Sequence, residues 1–478
     1  QLMAYADFMA MFTKSWNKVS LSAVAGASIN HTKTNTLSMD SHLAGLHHPN
    51  VFTPTNINYS GMSARDGSGD FNNKTQTQSV FATAQLGYAD ALYLDVTARN
   101  DWSSTLYGTK SLDSGFFYPS VGLSWLLNKT FNLPQWVDFA KVRGSFAQVG
   151  NSLPAFQSNL YPTIGMGGGI LQVTDYNDGN LKPEISDSWE VGAEFKLLKQ
   201  RLDIDFTWYK TITKNQFLRV PMLPGSAYAY KMINAGKISN KGIELTIGAV
   251  PVQTDNFHWR TQFNIATNQN KVEELTEGFK TFTYGQDGLN MAYRMIVKEG
   301  GSLGDIYGNA FKRDAQGKVE TDEKGLPVII NDRQQYLGNS NPDCTIGWSN
   351  TFRFYDFNVS FLIDARIGGD VMSFTQGFMD ARGVSAHAGD AMDRGYIEVG
   401  GTRFEEKQIP GFFASDGDKD GCTEDYMYDA TNIRLRELSV GYDLPQKHLQ
   451  KIGFIKGLNL SLIARNLFFF YKDAPFDP

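Results

Sequence analysis

A two-residue rhythm restricts this chain more than any other feature. Residues 91–101 (ALYLDVTARND) put Leu92, Leu94, Val96 and Ala98 on one flank, and Tyr93, Asp95, Thr97, Arg99 and Asp101 on the other. Successive side chains of an extended strand alternate in this way. In 201–211, Leu202, Ile204, Phe206 and Trp208 oppose Asp203, Asp205, Thr207 and Tyr209. Trp189, Val191, Ala193 and Phe195 oppose Glu190, Glu194 and Lys196, and the stretches from Phe257 and Phe357 behave alike.

The rhythm marks about fourteen segments: 4–14, 19–30, 76–88, 91–103, 115–128, 139–150, 185–197, 201–213, 235–250, 257–270, 343–354, 357–368, 430–443 and 458–469. Each reaches the roughly 9–11 residues with which a tilted strand crosses a bilayer, whereas strands of soluble sandwiches average about 5–6. Connections alternate in length. Short ones (Trp16-Asn17-Lys18, Tyr88-Ala89-Asp90, Leu198-Lys199-Gln200, 251–256, Tyr355-Asp356) fall on one side, joined by 129–138 and 444–457. Long ones (31–75, 152–184, 214–234, 271–342, 369–429) fall on the other, with 104–114 marginal. The expected fold is therefore all-β: a transmembrane antiparallel β-barrel with short periplasmic turns and long extracellular loops. Its apolar flank would face lipid and its polar flank a wet lumen, with Trp102, Trp125, Trp189, Trp208, Trp259 and Tyr442 as candidates for interfacial girdles. In 430–443 the phase slips, which predicts a β-bulge near Arg436–Glu437. The stretch 444–457 reads as a helical turn, with Pro445 near its start and Gly453 near its end.

Composition agrees. Only 20% of the 478 residues are charged, and Lys+Arg 44 against Asp+Glu 50 gives a net charge of −6, so no nucleic-acid partner is expected. Cys344 and Cys422 cannot form a disulfide framework. No apolar run is long enough for a membrane-crossing helix, a criterion that barrels evade. The chain starts at Gln1 without a basic leader, which fits a mature chain or a piece of a longer one.

Several segments, in order, resemble the SusC/RagA family of TonB-dependent outer-membrane transporters of Bacteroidota. They include Thr97–Ser104 (TARNDWSS), Tyr118–Trp125 (YPSVGLSW), Lys141–Asn151 (KVRGSFAQVGN), Leu181–Glu184 (LKPE) and Ser188–Gly192 (SWEVG). Asn240–Leu245 (NKGIEL), Gly301–Gly308 (GSLGDIYG), Gly338–Asp343 (GNSNPD), Asn432–Pro445 (NIRLRELSVGYDLP) and Ala464–Leu467 (ARNL) continue the series. The resemblance implies active import of an oligosaccharide or oligopeptide into the periplasm. It also implies a SusD-like surface lipoprotein as lid, energy from the TonB complex, and a dimer of such pairs in the lipid bilayer. Family barrels have about 22 strands and an N-terminal plug. Nothing here resembles a plug or the last strand, so residues 1–478 are expected to be a partial barrel domain, about strands 8 to 21. Other segments or another chain would cover its two open edges. A passive porin of about fourteen strands is the alternative reading.

Candidate ligand contacts are Asp101 on a strand, and Asp175, Tyr176, Asn177, Asp178, Tyr284 and Tyr293 in long loops, because rings stack on sugars while carboxylates and amides bind hydroxyls. Loop-on-loop packing is the competing role for each. Asp416, Asp418 and Asp420, with Cys422 and Glu424, match the start of a calcium loop, but position 12 is Met427, and a solvated acidic turn stands ahead of a Ca2+ site. No other cofactor is expected. His47-His48 lacks further ligands at metal spacing, and the Gly-rich 165–169 lacks the Lys of a phosphate cradle. Gly300–Gly304 matches GxSxG around Ser302 without a strand-to-helix turn, so no enzyme is expected.

Overall fold

The computed structural model describes residues 1–478 apart from 40–45, 49, 52, 54–55, 57–67, 159, 161–162, 165–169, 172–174, 178, 223–225, 276–280, 285–292, 417–420, 450–454 and 478. Fourteen strands form one antiparallel sheet in chain order. They are β1 (Leu2–Trp16), β2 (Val19–Met39), β3 (Ser68–Tyr88), β4 (Leu92–Ser103), β5 (Phe116–Leu126), β6 (Val137–Asn151) and β7 (Glu184–Leu197). Then follow β8 (Leu202–Lys214), β9 (Lys237–Gln253), β10 (Phe257–Glu274), β11 (Cys344–Phe354), β12 (Phe357–Ile367), β13 (Asn432–Asp443) and β14 (Asn459–Lys472). Each expected segment is one of these strands. β1 and β14 stand at the two ends of the hydrogen-bonded order.

Alternate connections are tight. Ala89 and Asp90, at φ 55° and 52°, make the tight three-residue turn 89–91 between β3 and β4, and Asn17 and Tyr355 are left-handed in two other short turns. Pro445 directly precedes the helical turn Gln446–Leu449, as expected; Gly453 lies outside the described residues. The phase slip is a bulge: Leu362 pairs with Glu437 and Ile363 with Leu435, leaving Arg436 over. Ile433, Leu435, Leu438 and Val440 thereby all meet the apolar flank of β12, opposite Ala365, Ile363, Phe361 and Val359.

Away from the strand ends, where Phe116, Ile238 and Val272 join hydrophobic clusters, neither flank of the sheet packs into a dry core among the described residues. Val96, Leu123, Val191, Ile243 and Val440 on the apolar flank are exposed in the isolated chain. On the opposite flank, charged side chains pair with one another. Apolar-out, polar-in alternation is the arrangement of a lipid-facing barrel wall.

Dry cores lie instead in the long connections. The chain divides into two compact units, the first being residues 1–125, 144–189 and 212–237. In it, Leu106, Leu153, Leu181 and Met232 gather with Phe116 at the end of β5. The second unit holds residues 126–143, 190–211 and 238–478. Its main core joins Phe311, Ile397, Phe404, Ile409, Phe412, Phe413 and buried Cys422. The connections read as loops are thus partly regular. Residues 281–339 carry a four-stranded sheet, and residues 369–429 carry α1 (Phe374–Ala381), α2 (Ala386–Arg394) and α3 (Ile409–Asp416). Ser373 and Ser385 cap α1 and α2 by accepting N–H bonds from Gln376 and Ala388, and left-handed Gly395 closes α2.

Candidate functional site

The polar flank is an ion-paired wall. Arg143 Nη2 donates to Asp205 at 2.8 Å and to Thr207 at 2.6 Å, joining β6 to β8. Arg434 on β13 meets Asp364 on β12 at 2.8 Å. On β4, Asp101 accepts from Arg99 at 2.8 Å on one oxygen and from the Tyr118 hydroxyl on the other, while Arg99 also reaches Ser79. Both oxygens of Asp101 are therefore engaged within the wall, and its geometry serves the strand array.

In the first unit, chain folding gathers several of the other candidates. Asp175–Tyr176 is a short strand that pairs in parallel with Tyr230–Lys231 of the strand Tyr230–Asn234. Asp175 accepts from Arg219 at 2.8 Å, and the Arg219 guanidinium lies 3.6 Å above the Tyr230 ring. Tyr176 and Tyr228 meet with ring centroids 5.4 Å apart, 37% and 38% exposed. Two accessible rings beside a carboxylate–guanidinium pair form a surface that can stack on a flat ligand face and bind hydroxyl or amide groups at its edge. Asn177 is internal scaffolding: its amide donates to the carbonyls of Gln157 and Ser158 and its oxygen accepts from Gly179 N–H. Asp178 lies outside the described residues. Tyr228 and Tyr230 belong to this surface although they were not placed beside Asp175 from sequence; spacing within one loop carries no signal of its partner loop.

In the second unit, Tyr293 packs on Phe374 of α1 at 5.1 Å, a loop-on-loop contact. Tyr284 ends the strand Thr281–Tyr284, paired through its backbone with Met295. Asp380 at the end of α1 is fully buried, and accepts from Gln376, from the Ser385 hydroxyl and from His387 at 2.9 Å. Burial opposes its charge, but bonds from His387 and Ser385 prevail and hold its pKa below the ordinary carboxylate value. The same Asp380 bond outweighs burial at His387 and raises the imidazole pKa. His387 lines a cavity of about 890 Å3 together with Arg394, Tyr396, Glu398, Asp425 and Asp473. Of the five calcium candidates, the Asp416 side chain, Asp418 and Asp420 lie outside the described residues. The Glu424 carboxylate accepts from Phe311 N–H at 3.0 Å and pairs with Arg313 at 2.9 Å, and the buried Cys422 thiol faces Asn309 O.

Three motifs far apart in sequence also converge. Asn240 from NKGIEL accepts from Asn268 and Asn270. Ser302 from GSLGDIYG donates to Asn270 Oδ1 at 3.2 Å and accepts from Asn341 of GNSNPD at 3.0 Å. Asn339 of the same motif donates to Asp305 at 2.7 Å. Together they border a recess of about 620 Å3 lined by Lys241, Asn268, Asn270, Asn339 and Asn341. Gly242 is required here, because an added Cβ would stand 2.0 Å from Thr267 O and 2.6 Å from the Tyr209 hydroxyl. Ser302 is thus one member of an amide network and sits in a turn between strands.

Comparison with known proteins accords with this architecture. TonB-dependent receptor P3 of Formosa agariphila is 26% identical over 446 residues, covering 85% of this chain and 42% of that protein. TonB-dependent receptor SusC of Bacteroides thetaiotaomicron is 24% identical over 313 residues, 63% of this chain and 30% of SusC. The chain therefore spans less than half the length of these relatives. Among solved structures, the RagAB peptide importer in its closed-closed state superposes with a TM-score of 0.71 at 16% identity, over 98% of this chain and 53% of that one. Its open-open state gives 0.71 at 17%, over 100% and 52%. Residues 7–371 match the family described as "TonB dependent receptor-like, beta-barrel". This chain belongs to that outer-membrane family.

Proposed function

We propose that this chain supplies wall and outer loops to a TonB-energised importer of an oligosaccharide or oligopeptide. The reading rests chiefly on one observation: a fourteen-strand sheet carries ion pairs such as Arg434–Asp364 on one flank and exposed Val96, Val191 and Val440 on the other. Such a wall bounds a hydrated passage within lipid. A SusD-like surface lipoprotein closes the outer mouth, TonB acts through a plug, and two such pairs associate. Ligand is captured at the loops and passed inward, with no bond made or broken. Tyr176 and Tyr228 supply the stacking surface, with Asp175 and Arg219 at its edge.

Calorimetric titration of the intact receptor with a panel of neutral oligosaccharides and short peptides tests this. One class should bind, and Tyr176→Ala with Tyr228→Ala should weaken it about tenfold or more, each stacked ring contributing about 1 kcal/mol. Uptake in cells should cease without TonB. Uptake that persists undiminished without TonB would overturn the energised reading.

A further inference from the structure

The short-turn end of the second unit carries a pocket for which import has no use. It holds about 800 Å3 between Trp136, Leu198, Leu202 and Ala249–Pro251, with Lys199 and Arg201 at its margin. Strand phase tells which flank it opens on. Asp203 points to the polar flank, where it accepts from Arg260 at 3.3 Å, so Leu202 shares the apolar flank with exposed Phe206 and Trp208. Thr246 also faces the polar flank, donating to Asn264 at 2.9 Å. Ala249 and Pro251 stand at odd offsets from it and therefore lie in phase with exposed Ile243. These walls face hydrocarbon, at the level where the strands end and headgroups begin. Trp136, 55% exposed, occupies the position favoured by interfacial indoles.

The margin is cationic. Arg201 donates through Nε to Val250 O at 2.9 Å and through Nη2 to Pro251 O. Carbonyl oxygens satisfy those donors without neutralising the charge. Lys199 has no hydrogen bond or ion pair from its ammonium among the described residues. Asp138, the nearby carboxylate, accepts the Gln200 N–H at 2.8 Å. Leu198, Lys199 and Gln200 all hold φ near 60° (58°, 60° and 60°), an unfavourable backbone for such residues that sets the Lys199 stem beside the apolar walls.

We propose that this pocket seats an acyl chain of an anionic phospholipid from the periplasmic leaflet, with its phosphate on Lys199 and beside Arg201. The proposal rests on the outer-membrane reading, which supplies the leaflet. Apolar walls with cations only at the mouth match an amphiphile whose charge stays at the interface.

Native mass spectrometry of the intact receptor in non-ionic detergent, titrated with phosphatidylglycerol or phosphatidylethanolamine, tests it. Phosphatidylglycerol should be retained preferentially. Lys199→Glu should weaken retention about tenfold, a reversed charge near a headgroup being worth well over 1 kcal/mol. Ala249→Trp should block the pocket, while Lys18→Glu on a different short turn should leave retention unchanged. Equal retention by wild type, Lys199→Glu and Ala249→Trp would overturn the proposal, as would displacement by inorganic phosphate alone, which would mark an anion site without a chain. Cargo uptake measured in parallel separates the two readings: lost TonB dependence with intact lipid retention counts against import alone.

Discussion

Within the second unit, two regions bury opposite things. In the sheet, Arg434 and Asp364 turn inward while Val440 is left in the open. In the connection above it, Phe404 and Phe412 are fully enclosed while Arg403 and Glu405 pair at the surface. Both obey one rule, that each flank matches its neighbour in polarity, and they differ because their surroundings do. The connection has water outside and must make its own dry interior. The sheet has hydrocarbon outside and needs none. Exposure of an apolar side chain therefore has two meanings in one chain.

The comparison can be broken most severely at Phe412. Phe412→Ala removes a fully buried ring from between Phe311, Phe404 and Phe413 and should cost about 3–5 kcal/mol locally. Hydrogen exchange should rise across 374–416, with strand protection kept. Loss of strand protection as well would mean that the two regions share one cooperative core. Next comes Val96 in mid-strand, 44% exposed. Val96→Arg should cost about 2–4 kcal/mol in refolding into bilayers, whereas Thr97→Arg, one step along on the polar flank, should stay within about 1 kcal/mol. Equal costs would deny that the flanks meet different solvents.

A smaller effect is expected with pH at the junction of α1 and α2. The His387 pKa is raised by Asp380, so its support is complete below the usual imidazole range and fades as pH rises through the raised value. The Asp380 pKa is lowered, so its support holds above the usual carboxylate range and fades as pH falls through the lowered value. Exchange protection of 380–388 should therefore plateau between those limits, and His387→Gln should flatten the alkaline side and weaken the acid one, because the His387 bond is foremost among those that lower the Asp380 pKa. The smallest effect tests the rule from the other direction. Val384 is 70% exposed in the connection, yet Val384→Arg should change stability by no more than about 0.5 kcal/mol, because water surrounds it.

All fourteen strands and the Arg436 bulge were legible because alternation is local and a lipid-facing wall preserves it for ten or more residues. The helices of 369–429 were less legible. α1 and α2 span only eight and nine residues, too few for a helical period to stand out among glycines and polar residues, although Ser373, Ser385 and Gly395 are readable caps. The candidate site was half legible. Asp175 and Tyr176 were named from chemistry, but their neighbours Arg219, Tyr228 and Tyr230 arrive from another connection more than forty residues away. The role of Asp101 was half hidden: Arg99 stands two steps along the same flank of β4, but Tyr118 comes within reach only when β5 aligns with β4. The amide network shows why NKGIEL, GSLGDIYG and GNSNPD occur together in one chain: their polar side chains complete one another's hydrogen bonds.

The extra residue at Arg436 makes β13 self-correcting. Deleting it would restore a regular ladder with Leu435 and Leu438 two steps apart and the apolar side chains still on one flank, whereas deleting Ser439 would turn Val440 and Tyr442 to the flank opposite Leu438. Single-residue insertions and deletions elsewhere in this strand thus act like arithmetic modulo two, in which one error inverts everything on one side of it and a second error nearby cancels the first.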